Sequence, residues 1–276
     1  MILFPHSLVR YLAALVLVIA LLDVSGQTAR AAEAPHAHRF AIGEDEYDQG
    51  YGCILYRTKL PAGPEASLEA AAIHDVGQVF LDGERIGFTD RRSRNFRVQL
   101  SARTQAATLD ILVEAMGRVN FGVEVHDRKG IHGPVTLAAG GKAPVNLRGW
   151  QIFRLPLDLP MLGGLEFQRA NSSGGSTGAP GFWRATVNVD QPGDCFLDMR
   201  PWGKGFAWVN GHNLGRYWNF GPQQTMYVPA PWLEAGDNEI IILAFSSPTI
   251  WSSNDAATWL GTRTAPEAHR PSEALP

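Results

Sequence analysis

The chain has 276 residues, a formal net charge of −3 and a hydrophobic content of 45%, so it can bury a sizeable core. The negative charge argues against a nucleic-acid partner, because such proteins normally present a basic face. The 29 glycines and 18 prolines favour short strands joined by turns over long helices.

The first 31 residues have the three-part layout of a secretory signal peptide. Arg10 precedes an apolar run at 11–22, and Ala29-Arg30-Ala31 supplies a small-residue cleavage pattern. The run is shorter than the ~20 apolar residues that a membrane span needs, which makes a membrane anchor the weaker alternative. We therefore expect a secreted or periplasmic protein that is free of the membrane after cleavage, with a short lead at 32–44.

Beyond this lead the chain is predicted to be antiparallel β-structure almost throughout. Short apolar segments bounded by Gly, Pro, Asn and Asp have the length and spacing of strands. Long windows with a helical period are missing, and 65–72 is expected to be a short helix at most. The predicted strands are 54–58, 78–81, 109–113, 151–155, 185–189, 206–209 and 239–245.

An internal repeat organises these strands. GQVFLDGERIG at 77–87 aligns without a gap with GFAWVNGHNLG at 205–215. Each reads as a strand, an Asp-Gly or Asn-Gly turn of type I′, and a return strand ending in Gly. The similarity continues from 96–100 to 225–228 and from 108–115 to 238–245. Two copies of one β-sandwich unit are the natural interpretation.

The mature chain therefore divides into two jelly-roll sandwiches with a connection between them. We place the first at 45–158 and the second at 182–247, with the option that the second uses a strand from 149–158. The connection at 159–181 contains NSSGGSTGAPG and is expected to be flexible. The tail at 248–276 is expected to be poorly ordered.

Several motifs then resemble the C-terminal part of the β-galactosidases of glycoside hydrolase family 35, in that family's order. They are YGCILYRT (51–58), IHDVGQVFLDGERIG (73–87), LVEAMGRVNFG (112–122), KGIHGPV (129–135), GWQIFRLPLD (149–158) and WVNGHNLGRYWNFGPQQTMYVPAPWLEAGDNEIIIL (208–243). The resemblance implies galactose-binding-like jelly rolls. In that family they accompany a (β/α)₈ barrel that holds two catalytic glutamates. A barrel needs ~250 residues of alternating strand and helix, so we assign no catalytic residue here.

No other catalytic or metal-binding pattern stands out. Two carboxylate pairs, Glu114 with Glu124 and Asp237 with Glu239, occur where strands and turns explain them, and Arg118 is expected to pair with Glu114 or Glu124. No cofactor is predicted. The histidines lack metal-ligand spacing, so no metal site is predicted either; among them are His36, His38, His74, His126, His132 and His212. Cys53 and Cys195 are expected to be free thiols rather than a disulfide.

A group of aromatic and polar residues in the second repeat has the chemistry of a sugar-binding site. It comprises Trp202, Asn210, Asn213, Arg216, Tyr217 and Trp218. The alternative interpretation is a packed corner in which Arg216 stacks on an aromatic ring, and this alternative is the favoured one. Trp208 alternates with small apolar residues and is expected in the core.

These observations favour a non-catalytic carbohydrate-binding or accessory protein of the β-galactosidase type. Its expected partners are β-galactosides or galactose-containing glycans, a separate barrel subunit, or a second copy of itself. The first alternative is the C-terminal component of a split β-galactosidase, which would hydrolyse terminal β-galactosides only together with a separately encoded barrel. The second alternative is an inactive gene fragment.

Overall fold

The structure, a computed structural model, describes residues 49, 51–169, 180–200, 202–221 and 224–245, and the strands at 10–14 and 260–261. Only the backbone is described for 10–14, 168–169 and 260–261. The chain divides into two compact units. The first unit is Leu22–Leu165, and the second unit combines Met1–Leu21 with Glu166–Pro276.

The first unit is a sandwich of two antiparallel sheets. Its strands are β2 (Cys53–Leu60), β3 (Ala66–His74), β4 (Val76–Leu81), β5 (Glu84–Asp90), β6 (Arg97–Leu100), β7 (Ala107–Glu114), β8 (Gly130–Ala139), β9 (Val145–Asn146) and β10 (Gln151–Leu155). One sheet has the order β10-β2-β7-β4-β5 and the other the order β6-β3-β8-β9. A 3₁₀ turn spans Val123–His126. Apolar side chains of both sheets, including those of Tyr56, Ile111, Leu68 and Ile131, form one buried core.

The second unit repeats this plan. Its strands are β1 (Arg10–Ala14), β11 (Gln168–Arg169), β12 (Gly181–Val189), β13 (Cys195–Asp198), β14 (Lys204–Val209), β15 (His212–Trp218), β16 (Thr225–Val228), β17 (Gly236–Ala244) and β18 (Leu260–Gly261). The sheet orders are β11-β1-β12-β17-β14-β15 and β16-β13-β18. A 3₁₀ turn spans Ala230–Trp232. Residues such as Leu197, Val228, Ala207 and Ile242 join the two sheets in one core.

The predicted repeat is confirmed by strand order and by turn geometry. The order β2-β7-β4-β5 in the first unit corresponds to β12-β17-β14-β15 in the second. Both hairpin turns have positive φ at their two central residues, 48° and 84° at Asp82 and Gly83, 47° and 80° at Asn210 and Gly211. This is the requirement of a type I′ turn. Each hairpin also has a register shift at the matching place, between Val79 and Phe80 and between 207 and 208.

The seven predicted strands and the all-β antiparallel fold are confirmed, with two local corrections. Residues 65–72 were expected to form a short helix at most, whereas Ala66–His74 is a strand paired with β6 and β8. Its alanines favour a helix locally, but alternate burial and pairing on both edges outweigh that preference. The expected flexible connection begins with a helix, α1 (Leu159–Gly163), whose first turn is capped by Asp158 accepting from Met161 N at 3.0 Å.

The optional strand of the second sandwich belongs to the first unit, because Gln151–Leu155 pairs with Cys53–Leu60 along its whole length. Other expectations fall largely outside the described residues. Of the signal peptide only the backbone at 10–14 is described, as β1 beside β12, so export stays a prediction. Residues 170–179 lie outside the described part, as does the tail apart from 260–261, whose backbone pairs with β13.

Candidate functional site

Two of the predicted sugar-binding residues, Trp202 and Tyr217, lie in the core of the second unit. Their side chains are 1% and 2% exposed. The Tyr217 hydroxyl donates to the Leu243 carbonyl oxygen at 3.0 Å, and burial raises the pKa of Tyr217 well above its ordinary value. Both residues are thus buried, where the packed-corner alternative expects them, and a sugar contact by either stays a prediction.

The two predicted asparagines lie at the hairpin turn and serve its geometry. Asn210 Oδ1 accepts from Glu239 N at 2.8 Å, and Asn210 Nδ2 donates to Trp232 O and Asn238 Oδ1, both at 2.8 Å. Asn213 Oδ1 accepts from Gly215 N at 2.7 Å, but the side chain is exposed. Asn210 is therefore committed to the fold.

The predicted residues do not converge on one site. Trp218 ends β15, five residues beyond Asn213, which in an extended strand is about 17 Å away. Lys204 Nζ lies 4.6 Å from the centroid of the Trp218 ring, and the Phe220 ring meets Trp218 edge-on at 5.4 Å. These contacts are those of a cation–π corner. A sugar contact by Asn213, Arg216 or Trp218 stays a prediction.

Three of the four candidate carboxylates, those of Glu124, Asp237 and Glu239, have surface contacts. Glu114 is buried in β7, whereas Glu124 is exposed and lies 3.8 Å from Arg91 rather than beside Arg118 as expected. Asp237 accepts from Asn188 Nδ2 at 2.9 Å, and Glu239 lies 3.8 Å from Arg184. These contacts explain Glu124, Asp237 and Glu239 as residues of strand and turn surfaces.

The histidines and cysteines have structural surroundings as well. His74 and His132 have ring centroids 4.1 Å apart, and His212 stacks on Trp232 at 4.6 Å. Within the described ranges no group of His, Cys, Asp or Glu could hold a metal ion; His36 and His38 fall outside those ranges. Cys53 and Cys195 are buried free thiols, as expected.

An exposed aromatic pair on the second unit was not predicted from the sequence. Phe196 of β13 and Tyr227 of β16 are directly opposite each other, on the sheet face that points away from the core. Their ring centroids are 5.5 Å apart, and the residues are 37% and 49% exposed. The Asp194 carboxylate near the Tyr227 hydroxyl raises the pKa of that hydroxyl.

A charged pair lies beside these rings. Asp198 is opposite Thr225 on the same outer face, and Arg200 holds the Asp198 carboxylate through Nε at 2.9 Å and through Nη2. This hydrogen bonding lowers the pKa of Asp198, so the carboxylate is an acceptor across the neutral range. Two exposed rings beside a carboxylate and a guanidinium can pack on an apolar ligand face and bind its hydroxyl groups.

The matching positions of the first unit are polar. The registers of β3 with β6 and of β13 with β16 place Ser67 and Gln99 where the second unit has Phe196 and Tyr227. Gln99 Nε2 donates to Ser67 Oγ at 3.3 Å. The repeat fold therefore does not need aromatic residues here. In CFLD at 195–198, the side chain of Phe196 points to the opposite face of the strand from those of Cys195 and Leu197. This alternation is the sequence signal that could have indicated an exposed Phe196.

The first unit carries a pocket of about 980 Å³ that was not predicted from the sequence. One wall is the second half of β3, and the other is the segment RRSRNFR at 91–97, with Glu124 beside them. Four of the 24 basic residues of this acidic chain lie within these seven positions.

Buried charges support this pocket from behind. Lys129 Nζ lies 2.7 Å from Asp75 Oδ2 and 2.8 Å from Asp127 Oδ2, and Arg91 pairs with both carboxylates. Burial alone would raise the pKa of Asp127, but hydrogen bonds from Lys129 and Arg91 outweigh burial and leave that pKa below its ordinary value. Asp75 also accepts from Met116 N at 2.8 Å, so the network fixes the start of the following loop.

The loop held by this network exposes apolar side chains. Phe121 is 89% exposed, Val123 is 94% exposed, and Val125 is also exposed. Exposed apolar residues that cluster in sequence are typical of a contact surface. Across the described part of the chain, no helix is both long enough and apolar enough to cross a bilayer.

Two family models match the chain, one over each unit. "Beta-galactosidase, first all-beta domain" matches residues 44–156, and "Beta-galactosidase, galactose-binding domain" matches residues 180–238. A β-galactosidase of Xanthomonas manihotis is 38% identical over 189 residues, which are 67% of this chain and 29% of the relative. The human beta-galactosidase-1-like protein 2 is 36% identical over 197 residues, which are 70% of this chain and 29% of the relative.

The chain thus spans just under a third of the length of these relatives. Among solved structures, a Pleurotus ostreatus lectin aligns over 80% of this chain and 77% of the lectin at 15% identity, with a TM-score of 0.32. Each of the two family models matches one of the two sandwiches. The chain therefore belongs to the β-galactosidase family, through that family's first all-beta domain and its galactose-binding domain.

Proposed function

We propose that this protein is a non-catalytic carbohydrate-binding or accessory component of the β-galactosidase type that recognises galactose-containing glycans. The observation that carries the proposal is the exposed pair Phe196 and Tyr227, which lies in the stretch matched by the galactose-binding domain. Hydrolysis is not assigned to the described residues, since Glu124, Asp237 and Glu239 have surface contacts and Glu114 is buried in β7, away from Glu124 at the surface.

The chemistry of the pair fits a galactosyl group. The axial 4-hydroxyl of galactose leaves one face of the ring with contiguous C–H groups, and such a face packs on exposed aromatic rings. Asp198 accepts hydroxyl hydrogens, and Arg200 donates to hydroxyl oxygens, on the same side of the sheet. An apolar contact surface with a few directed polar groups is the usual composition of a small-ligand site.

The test is a calorimetric titration of the full chain with lactose and with β-1,4-galacto-oligosaccharides. We expect binding by the wild-type protein and at least a ten-fold weaker association constant for Phe196→Ala/Tyr227→Ala, because stacking of a sugar on each ring is lost. Phe88→Ala removes an exposed aromatic of the first unit and serves as the matched control.

The same titration separates this site from the sequence-predicted one. Trp218→Ala leaves the association constant unchanged if Phe196 and Tyr227 bind the sugar. Loss of binding with Trp218→Ala, together with retention in the Phe196/Tyr227 variant, would transfer the site to the Trp218 corner. Failure of the wild-type protein to bind any of these sugars rejects the proposed function itself.

A second function is supported by the exposed loop of the first unit. Phe121, Val123 and Val125 form an apolar surface that a catalytic barrel, on a separate chain or elsewhere in a longer protein, would cover. In this function the units support the hydrolysis of terminal β-galactosides by that barrel. Aryl β-galactoside hydrolysis is measured after mixing the chain with a family barrel. We expect Phe121→Asp/Val123→Asp to abolish any gain in rate, and no gain with the wild-type chain rejects this function.

A further inference from the structure

We propose that the pocket of the first unit is a second binding site, selective for saccharides that carry one anionic group, a carboxylate or a sulfate. The pocket holds about 980 Å³, enough for one or two sugar rings. It lies on a different unit from the aromatic pair, so this inference stands independently of the galactosyl site proposed above.

The open shape of the pocket follows from small side chains on one wall. Ala71 and Ala72 of β3 are exposed or half-buried towards the pocket, where larger side chains would fill the space, while the side chain of Ala70 lies in the core. The other wall, 91–97, is anchored at its start: Asp90 Oδ1 accepts from Arg92 N at 2.8 Å, and Ser93 Oγ donates to Asp90 O at 2.9 Å. A wall that is fixed before the ligand arrives reduces the entropy lost on binding.

Arg94 supplies the principal donor group for an anion. Its side chain is exposed, and among the described residues it has no hydrogen-bond or ion-pair partner. Its φ of 52° is in the left-handed region, which non-glycine residues seldom adopt. A guanidinium presents five N–H donors in a planar fork that matches a carboxylate or sulfate.

Arg97 adds a second donor that is already oriented. Its Nε and Nη2 donate to Glu69 Oε2 at 3.2 and 2.8 Å, which holds the guanidinium in place on the exposed face. Arg91, also on the pocket wall, is held from behind by Asp75 and Asp127. Arg91 and Arg97 are therefore held by carboxylates, whereas the guanidinium of Arg94 is free to orient towards an anionic ligand.

The balance of charge limits the ligand to one anionic group. Four guanidinium groups and two carboxylates line the pocket. The supporting residues Asp75, Asp90, Asp127 and Lys129 cancel that excess. Attraction is thus local to Arg94 and Arg97, which is too little for a polyanion such as a nucleic acid. Glu69, Glu124 and Asn95 supply acceptors for sugar hydroxyl groups.

The repeat shows that this basic segment is not needed for the fold. Residues 91–96 of the first unit correspond to 219–224 of the second, between matched strands and with the same length. The second segment reads NFGPQQ and contains no charged residue. The arginines are therefore available for a role other than joining the two strands.

The test compares acidic sugars with their neutral counterparts on the full chain, in the Phe196→Ala/Tyr227→Ala background. Calorimetry is run with galacturonate and its methyl ester, and with galactose 4-sulfate and galactose. We expect the association constant of each acid to be at least about ten-fold higher than that of its neutral counterpart, because the acid gains a charge-assisted hydrogen bond. The uronate and sulfate arms identify which anionic group the pocket prefers.

Arg94→Ala should remove most of this preference, whereas Arg85→Ala, which removes an exposed guanidinium outside the pocket, should leave it unchanged. Circular dichroism checks that both variants fold. Equal affinity for acid and neutral sugar, absence of binding by either, or an Arg94→Ala variant that binds like its parent overturns the proposal. Competition by inorganic sulfate as strong as that by galactose 4-sulfate overturns the assignment to saccharides.

Discussion

The outer faces of the two sandwiches differ where their cores and turns agree. In the first unit the outward positions of β3 and β6 hold Ser67 opposite Gln99 and Glu69 opposite Arg97. In the second unit the equivalent strands hold Phe196 opposite Tyr227, and Asp198 opposite Thr225. Strand pairing and core packing are satisfied by either set, because both point to solvent. The different residues on the two outer faces are therefore explained by what each face binds and not by the requirements of folding.

The surroundings of the buried lysines in the two units differ in chemistry as well. The first unit buries Asp75, Asp127 and Lys129 together, while the second packs Lys204 against the rings of Trp218 and Phe245 at 4.6 and 5.4 Å. A buried ion pair depends on each of its members, because removing one leaves an uncompensated charge. Removing one member of a cation–π pair costs a smaller interaction free energy. The first unit should thus be the more sensitive to single substitutions.

The largest expected effect comes from breaking the ionic network. Lys129→Met leaves the buried carboxylates of Asp75 and Asp127 with Arg91, and Asp127 also with His74 Nδ1 at 2.8 Å. We expect the free energy of unfolding to fall by about 3–5 kcal/mol, as measured by urea denaturation. Lys59→Met, at an exposed lysine that donates to Thr108 Oγ1, is the control and should change it by less than about 0.5 kcal/mol. Equal effects of the two variants would contradict a structural role for the network.

A second effect separates the two hairpin turns. Asp82 Oδ1 accepts from Thr108 N at 2.7 Å, as Asn210 Oδ1 accepts from Glu239 N, but only Asn210 also donates, to Trp232 O and Asn238 Oδ1. Asn210→Asp replaces that donor by an oxygen facing two acceptors. We expect a loss of about 2–3 kcal/mol in the free energy of unfolding.

The reciprocal variant Asp82→Asn keeps the acceptor and loses no hydrogen bond. It should change the free energy of unfolding by less than about 0.5 kcal/mol. Both variants are measured by the same urea denaturation. A result in which Asp82→Asn is as destabilising as Asn210→Asp would mean that the two turns are equivalent in chemistry as well as in geometry.

The pH dependence of the first unit offers a smaller effect. Burial and the nearby His74 and Arg91 lower the pKa of His132, although its contacts with the Arg128 carbonyl and Asp127 oppose this shift. Because the folded pKa is depressed, the unfolded chain binds this proton first. Stability should fall as pH drops below the ordinary histidine value near ~6.5, by at most about 1.4 kcal/mol per pH unit.

His132→Gln removes this titration while keeping a side-chain donor for the Arg128 carbonyl. Urea midpoints between pH 7.5 and 5.5 should then vary less than in the wild-type protein. The acid loss caused by Asp127, whose depressed pKa matters below about pH 4, lies outside this range. An unchanged pH slope in His132→Gln would assign the dependence to another group.

The smallest expected effect on stability comes from exchanging the outer faces. Phe196→Ser/Tyr227→Gln gives the second unit the residues that the first unit has at the matching positions. Since both rings are substantially exposed, we expect a change of less than about 1 kcal/mol in the free energy of unfolding. Thermal denaturation measures it. A loss of several kcal/mol would mean that these rings serve the fold, and the proposed binding role would lose its basis.

The fold was largely predictable because its signals are local. Apolar alternation identified the strands, and the Asp-Gly and Asn-Gly turns required the positive φ values observed at Asp82 and Asn210. The segment 65–72 was misjudged because consecutive alanines favour a helix in isolation. Its strand state depends on pairing with β6 and β8, whose paired residues lie about 30 and 65 positions further along the chain.

The candidate sites were the less predictable part. Trp202, Tyr217 and Trp218 have sugar-binding chemistry in the sequence, but composition does not reveal which face of a strand is buried when both faces carry apolar residues. Tyr217 turned out to be in the core, and Phe196, in an unremarked four-residue strand, turned out to be exposed. The segment at 91–97 was visible as a basic run, yet nothing local indicates that alanines of β3 form the opposite wall.

The sequence by itself thus determined the β-class, the repeat, the two type I′ turns and the family, since each depends on neighbouring residues or on motif order. The tertiary structure decided which side chains meet. Pairing of β3 with β6 and of β13 with β16 joins residues about 30 positions apart, and the packing of the sheets selects which of them face solvent. Candidate binding surfaces depend on these long-range contacts, because packing of the sandwich core constrains the inward residues and leaves the outward positions free to differ.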